Sequence, residues 1–306
     1  MAQAEASTPV VQLSTHDDDE VGQSLFQLAL RRLRRDKLTL LAIGVLVTLT
    51  VLSVTAPFIT GTILGIDENL TNPYNAFLAP GREGHILGTD DLGRDQLARL
   101  LHAGRVSLGI AFTAAVLSLL IGVALGVITG FYGGFIDDSV NWLITTINSI
   151  PSLFLLLIIS AVLSPGPGSL VLVLGLLGWT GTTRLVRGET LSQREREFIT
   201  SARAIGCSDW RIMFTHIVPN LFSIVVITLA IDIGVLILVE SSLSFLGVGV
   251  KPPTATWGNM LTNAQTFFKK GPHLVIWPGV LITVTVLCLY VIGDGIRDAF
   301  DPKTVD

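Results

Sequence analysis

Charged side chains are scarce in this sequence of 306 residues, where Asp, Glu, Lys and Arg together make up only 14%. A water-soluble protein carries about a quarter of its residues as charged types. Half of the residues here are hydrophobic, and the mean hydropathy is +0.65. Because so few charges cannot cover the surface of a soluble protein of this size, the composition predicts a second apolar solvent, the lipid bilayer.

Cysteine, excess positive charge and metal-ligand spacing are missing as well. Two cysteines exclude a disulfide scaffold, and a net charge of −4 with no basic face excludes a nucleic-acid binder. The five histidines are scattered without the spacing of metal ligands, so no metal site is expected. They are His16, His85, His102, His216 and His273.

The amino-terminal segment lacks the start of a secretory signal peptide, since no Lys or Arg precedes Arg31. Its acidic run at 17–20 indicates a disordered cytoplasmic tail over residues 1–23. A short amphipathic helix is predicted from Ser24 to Leu33. The basic cluster that follows, Arg34, Arg35 and Lys37, precedes an apolar run directly and is typical of a topogenic signal.

Six apolar runs are candidates for transmembrane helices, since about 20 apolar residues cross a bilayer. They are Leu38–Ile59, Ser107–Phe131, Ser139–Leu163, Leu170–Thr183, Leu221–Leu246 and His273–Ile296. The runs are continuous and do not alternate with period two, which argues against a barrel. The prediction is an all-α integral membrane protein with six transmembrane helices.

The distribution of positive charge predicts that both termini are cytoplasmic. With the amino terminus inside, 13 of the 20 Lys and Arg fall on inner segments and 7 on outer ones. This divides the chain into an amino-terminal region, 24–106, with the first span and an outer loop from residue 60, and a five-helix core, 107–296. The core contains an inner loop at 184–220, and a cytoplasmic tail occupies 297–306.

Glycines recur every fourth residue on the second span, at Gly122, Gly126, Gly130 and Gly134. They form a face without side chains that another helix can approach closely. Two interpretations remain open: a subunit or pore-lining seam, and ordinary packing between helices of the same chain.

Two carboxylates lie on the fifth span, Asp232 near its middle and Glu240 towards its outer end. A carboxylate in a bilayer is costly, so it faces a wet path, has a partner or is protonated. Both residues are therefore candidates for a translocation path. For Glu240 the alternative is an acid at the membrane interface.

The inner loop has the pattern of two helices joined by a glycine. The first is predicted over Leu191–Ile205, and Gly206 ends it in a left-handed conformation. Ser208 and Asp209 cap a second short helix, which Pro219 ends. Such an elbow is a compact and rigid protrusion that transmits a push from a partner.

These residues resemble a known family. The run 200–206 (TSARAIG), nine residues and then 216–219 (HIVP) are similar to the EAA loop of ABC-importer permeases. Three further blocks resemble its dipeptide, oligopeptide and nickel branch, in the second or C-type permease subunit: 85–95 continuing to 104–108, 240–247 with the Pro and Trp residues up to 258, and 293–302. The leading Glu of the family motif is Thr200 here, and the first Ala is Ser201.

The resemblance implies a type I importer permease fold in a bacterial cell membrane, with a sister permease, two cytoplasmic ABC ATPases and an external substrate-binding protein as partners. It implies that the inner loop docks on an ATPase, which binds ATP and Mg. The residues at the docking positions are Ala202, Gly206, Ser208, Asp209 and Pro219, in a coupling loop that also contains Arg203 and Arg211. Arg203 and Arg211 are suited to a partner's acids or to lipid headgroups.

The chain itself is expected to be neither an ATPase nor another enzyme, since its sequence contains no Gly-x-x-x-x-Gly-Lys-Ser/Thr loop and no catalytic constellation. The main alternative is a self-sufficient, proton-coupled secondary transporter that uses Asp232 and Glu240. The absence of an obvious inverted repeat argues against it. A membrane-embedded enzyme requires a nucleophile or metal cluster within the spans, which the sequence does not show.

Overall fold

The computed structural model describes residues 25–163 and 166–300, and those residues form helices joined by turns, with no strand among them. The α-helices, in chain order, are α1 (Leu25–Leu33), α2 (Lys37–Val54), α3 (Ala56–Phe58), α4 (Gln96–Tyr132), α5 (Gly134–Asn148), α6 (Ser152–Val162), α7 (Pro167–Arg194), α8 (Glu197–Ala204), α9 (Asp209–Arg211), α10 (Val218–Asn220), α11 (Phe222–Phe245), α12 (Ala264–Lys270) and α13 (His273–Phe300). The tail predicted over 1–23 and the end of the tail predicted over 297–306 lie outside the described residues.

Five helices are long and apolar enough to cross a membrane, namely α2, α4, α7, α11 and α13. The third predicted span, Ser139–Leu163, corresponds to a bent pair: α5 and α6 meet at an angle of 80°. The prediction of one continuous helix over Ser139–Leu163 is therefore wrong. Pro151 has no N–H to donate and disfavours a helical conformation in the residue before it, so the helix breaks there.

Four helices extend beyond the predicted apolar runs by three residues or more, among them α5, which begins at Gly134 rather than Ser139. Helix α4 begins at Gln96 rather than Ser107, because the Asp95 carboxylate accepts a hydrogen bond from the Ala98 N–H at 2.8 Å and caps it. Helix α7 continues past Thr183 to Arg194, and α13 continues to Phe300. The boundaries predicted after residues 106 and 296 consequently fall inside helices.

The predicted amphipathic helix Ser24–Leu33 is confirmed as α1, which packs against α13. Asp36 then caps α2. The Thr39 hydroxyl and backbone N–H both donate to the Asp36 carboxylate and hold its pKa below the ordinary value. Thr39 in turn lies against Gly295 of α13, so the start of the first span is fixed to the end of the last.

The glycine face of α4 packs against α7. At three positions an added Cβ would lie within 2.6–2.7 Å of a Cβ on α7: Gly122 against Thr182, Gly126 against Val186 and Gly130 against Thr190. Those three glycines therefore form an intramolecular seam, which is the second of the two interpretations.

Gly134 does not belong to this seam, and its inclusion was wrong. Helix α4 ends at Tyr132, and Gly133 and Gly134 have φ angles of +67° and +56° that turn the chain into α5. An added Cβ at Gly134 has nothing within 4 Å.

The bundle has two ends. The α1 side carries α1, the carboxyl end of α4 and the 184–220 segment. The far side carries the connection from α3 to α4, the amino end of α4 and the segment 247–263.

Charged residues of the far side pair with one another. The Asp90 carboxylate accepts from Arg94 Nε at 2.7 Å and lies 3.4 Å from Arg99 Nε. His85 Nδ1 lies 2.8 Å from an Asp95 oxygen. These acids therefore hold the connection onto the start of α4.

Candidate functional site

The 184–220 segment contains the glycine elbow that the sequence predicts. Gly206 has a φ angle of +84°, and its N–H donates to the Arg203 carbonyl at 3.0 Å to close the end of α8. The helix before the elbow differs from the prediction over Leu191–Ile205. Helix α7 runs to Arg194, the chain breaks at Arg196, which has an extended conformation, and α8 starts afresh.

The second helix of the segment passes through Pro219 instead of ending there. Ser208 occupies the predicted N-cap position, although its side chain makes no capping hydrogen bond. The turn Ile212–Ile217 is a π-helix in which the Val218 N–H donates to the Met213 carbonyl. This wider turn accommodates a proline, which supplies no N–H and crowds the preceding turn. The helical path then runs on into α11, so the prediction that Pro219 terminates it is wrong.

A buried apolar cluster fixes this segment to the membrane helices. It draws residues from α4, α7, α8 and the π-helical turn. Its members are Val127, Phe131, Val186, Ile199, Ala202, Ile212, Met213, Ile217 and Leu221. Ala202, one of the predicted docking residues, therefore anchors the segment from within.

Two arginines of this region contact Phe131, in the last turn of α4. The Arg203 guanidinium lies 5.2 Å from the centre of the Phe131 ring, which is cation–π geometry. The Arg194 Nη1 donates to the Phe131 carbonyl at 3.0 Å. Arg203, predicted to meet a partner's acid or lipid, thus has a partner in its own chain.

A third arginine holds the start of α5. Arg187 of α7 forms an ion pair with Asp137, and Asn141 Nδ2 donates to the same carboxylate at 2.7 Å. This pair was not among the residues predicted from the sequence. The sequence does place an acid shortly after the second predicted span and a base shortly after the fourth. It does not show that the two side chains meet.

The outward surface of the segment carries large apolar side chains among polar ones such as Asp209 and Arg211. Three large side chains project from it, Ile205 at 82% exposed, Trp210 at 60% and Phe214 at 61%. The Trp210 and Phe214 rings stack with centroids 5.4 Å apart and planes within 10°. We call these three residues the exposed face. Large apolar side chains that stay exposed in this way are typical of a surface for a partner, and they were not among the residues predicted from the sequence.

The two path candidates have separate environments. Asp232 is half-buried in α11 and accepts a hydrogen bond from the Thr182 hydroxyl at 3.2 Å. Glu240 is fully buried within the protein, at 0% exposed. Its oxygens accept from Ser244 Oγ at 2.7 Å and Ser107 Oγ at 3.2 Å.

The elbow yields a direct prediction. Gly206→Val is expected to impair activity without blocking membrane insertion, because an L-residue in the left-handed region costs about 1–2 kcal/mol and a β-branched one more. An added Cβ meets nothing within 4 Å, so the cost arises from the backbone and not from a clash. Activity and membrane abundance of the variant are the measurements. Gly206→Asn is the control, since Asn tolerates this conformation, and normal activity of the Val variant would contradict the prediction.

Comparison with protein families gives two matches. Residues 122–306 match the model described as the binding-protein-dependent transport system inner membrane component. Residues 24–80 match the N-terminal transmembrane domain of oligopeptide transport permease C.

Similar proteins span nearly the whole chain. The dipeptide transport system permease protein DppC of Alkalihalophilus pseudofirmus is 33% identical over 296 residues, covering 97% of this chain and 96% of the relative. The oligopeptide transport system permease protein OppC of Bacillus subtilis is 34% identical over 280 residues, covering 92% and 90%. A chain of the inward-facing MetNI methionine ABC transporter shares the fold, with a TM-score of 0.54 and 18% identity over 63% of this chain and 93% of that one. The chain belongs to the family of binding-protein-dependent transport system inner membrane components.

Proposed function

We propose that this chain is a transmembrane permease subunit of an ATP-driven ABC importer and forms half of the translocation path for peptides delivered by an external binding protein. The observation that carries the proposal is the 184–220 segment, a protrusion held by a buried cluster and ending in an apolar exposed face. The names of the relatives support a dipeptide or oligopeptide as the solute. The family supports this function over a self-sufficient proton-coupled transporter.

The partners follow from this assignment. The α1 side faces the cytoplasm, where the exposed face, Ser208, Asp209 and Arg211 dock on one of two ATPases that bind ATP and Mg. A sister permease supplies the other half of the path, and the far side meets the binding protein. Asp232 remains a candidate for the path, whereas the enclosed position of Glu240 suits a structural role.

The test is reconstitution of the complete complex in vesicles. This chain, its sister permease, both ATPases and the binding protein are expected to give uptake of radiolabelled di- and oligopeptides that requires ATP and withstands a protonophore. Omitting this chain or the ATPases should abolish uptake. Accumulation of peptide by vesicles that contain this chain alone, or uptake driven by a proton gradient without ATP, would contradict the proposal.

The contact between Arg203 and Phe131 is expected to transmit motion from the segment to α4. Arg203→Gln should lower the peptide taken up per ATP hydrolysed about two- to fivefold, since an exposed cation–π contact is worth about 0.5–1 kcal/mol. Phe131→Leu should have a similar effect, and Arg203→Lys a smaller one. Uptake and ATP hydrolysis are measured on the same vesicles.

The control for this prediction is Arg297→Gln. Arg297 is also exposed and lies at the carboxyl end of α13 on the α1 side. If the peptide taken up per ATP hydrolysed is unchanged in Arg203→Gln, or falls equally in Arg297→Gln, the contact between Arg203 and Phe131 does not couple the 184–220 segment to α4.

A further inference from the structure

A cavity of about 300 Å³ opens on the far side of the bundle, between the start of α4 and the segment 247–263. Two polar residues of α4 line it, Gln96 at 1% exposed and Arg99 at 5%. Leu92 and Lys251 also line it and are exposed, so they lie at its rim. The cavity is therefore open to water at this end of the bundle and contains two buried polar side chains.

Both buried side chains have a donor without an acceptor. Among the described residues, Gln96 Nε2 and Arg99 Nη1 have no hydrogen-bond partner. Other polar groups of the cavity are satisfied within the chain, since Ser244 Oγ donates to Glu240 at 2.7 Å and Asn259 Nδ2 donates to a backbone carbonyl at 3.0 Å. Buried polar groups without a partner are rare in folded proteins. Gln96 and Arg99 therefore mark the part of the cavity that lacks a hydrogen-bond acceptor.

Positive charge exceeds negative charge around the cavity. Arg94 Nε and Arg99 Nε lie 2.7 Å and 3.4 Å from the same oxygen of Asp90, so two guanidinium groups share one carboxylate. Asp91 supplies a second acid and Lys251 a third cation. With three cations to two acids, the cavity favours one more anion. A carboxylate suits it best, because carboxylate oxygens accept hydrogen bonds from both guanidinium and amide N–H groups.

We infer that this cavity binds a carboxylate side chain of the external substrate-binding protein, which accepts hydrogen bonds from Gln96 and Arg99. The inference rests on the proposed function and adds the chemistry by which that partner is held. Nearly all of the lining residues lie outside the predicted apolar runs, at the end of the bundle. This location suits an acid fixed on a docked protein better than a solute that passes between the spans.

The test is the affinity of the binding protein for the complete complex in lipid nanodiscs. Gln96→Met keeps the length of the side chain and removes the donor. Because the donor is unpaired in the free protein, its loss is expected to leave the thermal stability of the complex unchanged or higher. The Kd of the binding protein is expected to rise about tenfold, since a hydrogen bond to a charged group is lost on docking. A purely structural role for Gln96 does not give both results.

Gln96→Glu is expected to raise the Kd more than Gln96→Met does. Its own carboxylate would pair with Arg99 and take the place of the partner's acid. The Kd of this variant is measured in the same nanodiscs. A Kd equal to that of the unmodified complex in both Gln96 variants would overturn the inference.

Two exposed lysines supply a matched pair of surface variants. Lys251 lines the cavity, whereas Lys269 of α12 does not. Lys251→Gln is expected to raise the Kd about two- to fivefold at low salt and to have a smaller effect at high salt, as for an exposed ion pair. Lys269→Gln should leave the Kd unchanged. Equal effects of the two would show that binding follows overall charge and would overturn the inference.

A double-mutant cycle identifies the carboxylate on the partner. Each acid on the outer surface of the binding protein is changed singly to its amide, and for the acid that enters the cavity this change and Gln96→Met should not add. Additive effects for every acid would overturn the inference, as would loss of the sister permease from the Gln96→Met complex. A Kd that changes for a free-acid peptide but not for the same peptide with an amidated carboxyl end would assign the cavity to the solute instead.

Failure of the proposed function gives a different result. In that case the unmodified complex does not bind the binding protein at all, and the inference falls with the function. Normal binding by the unmodified complex, together with normal binding by both Gln96 variants, would overturn the inference alone.

Discussion

Gly126→Ala is expected to destabilise the bundle by about 1–3 kcal/mol, the range seen when a methyl group is forced into a filled interior. The added Cβ would lie 2.7 Å from the Cβ of Val186 and 2.9 Å from the Thr183 carbonyl oxygen. Both atoms are fixed to the backbone of α7, so no side-chain rotation relieves the contact. Alanine favours helix over glycine by about 1 kcal/mol, and the clash must outweigh that gain.

Gly109→Ala is the matched control, because Gly109 lies on the same helix and an added Cβ there meets nothing within 4 Å. Its expected effect is neutral or slightly stabilising, from helix propensity alone. Thermal aggregation of the detergent-solubilised complex separates the two variants. Equal midpoints for both would show that the seam tolerates a side chain and that the close approach of α4 and α7 is not needed for stability.

Glu240→Ala is expected to have the second large effect, a loss of about 2–5 kcal/mol in stability. The substitution leaves a cavity at a position that is 0% exposed and deprives the Ser107 and Ser244 hydroxyls of their acceptor. Ser107 Oγ also accepts from the Trp257 N–H at 3.1 Å, so Glu240 indirectly holds the 247–263 segment. Limited proteolysis within that segment, together with thermal stability, measures the loss.

Glu240→Gln distinguishes support of the fold from proton carriage. Gln keeps the shape of the side chain and one accepting oxygen, so ATP-dependent uptake and stability are expected to stay close to those of the unmodified protein. A Gln variant that remains folded but no longer transports would instead show that the charge itself is needed, which is the requirement of the proton-coupled alternative. Stability of the Ala variant equal to that of the unmodified protein would contradict the structural role.

The apolar runs predicted where membrane helices lie, because the bilayer imposes a minimum length of hydrophobic sequence on every span. They did not predict where those helices end. The apolar run is interrupted by Arg99, His102 and Arg105, but the helix is not. Helix α4 therefore extends through these residues to its cap at Asp95. A run of apolar residues indicates which solvent surrounds a segment, whereas the ends of a helix depend on hydrogen bonding.

The 184–220 segment was likewise predicted only in part. A left-handed residue after a helix is nearly always glycine, and Gly206 was therefore identified from sequence. Nothing in the run from Gln193 to Glu197 has the composition of a helix break, so the separation of α7 from α8 could not be foreseen. Pro219 was misplaced for the opposite reason, since a π-helical turn lets a proline remain within a helical path.

The exposed face illustrates what periodicity alone cannot show. Trp210 and Phe214 are four residues apart, which places them on one side of a helix. The same spacing is found for residues that face a core, and here the core is built by Ile212, Met213 and Ile217 instead. Only the packing of the segment against Phe131 and Val186 decides which side remains uncovered.

Helix α4 runs unbroken for 37 residues, a length of about 55 Å. At one end Trp257 donates to its Leu100 carbonyl at 3.1 Å, and at the other Arg194 and Arg203 hold Phe131. Residues at both ends of the bundle thus contact one unbroken helix. A tilt of α4 would therefore move the far side and the 184–220 segment together, with no further rearrangement between them.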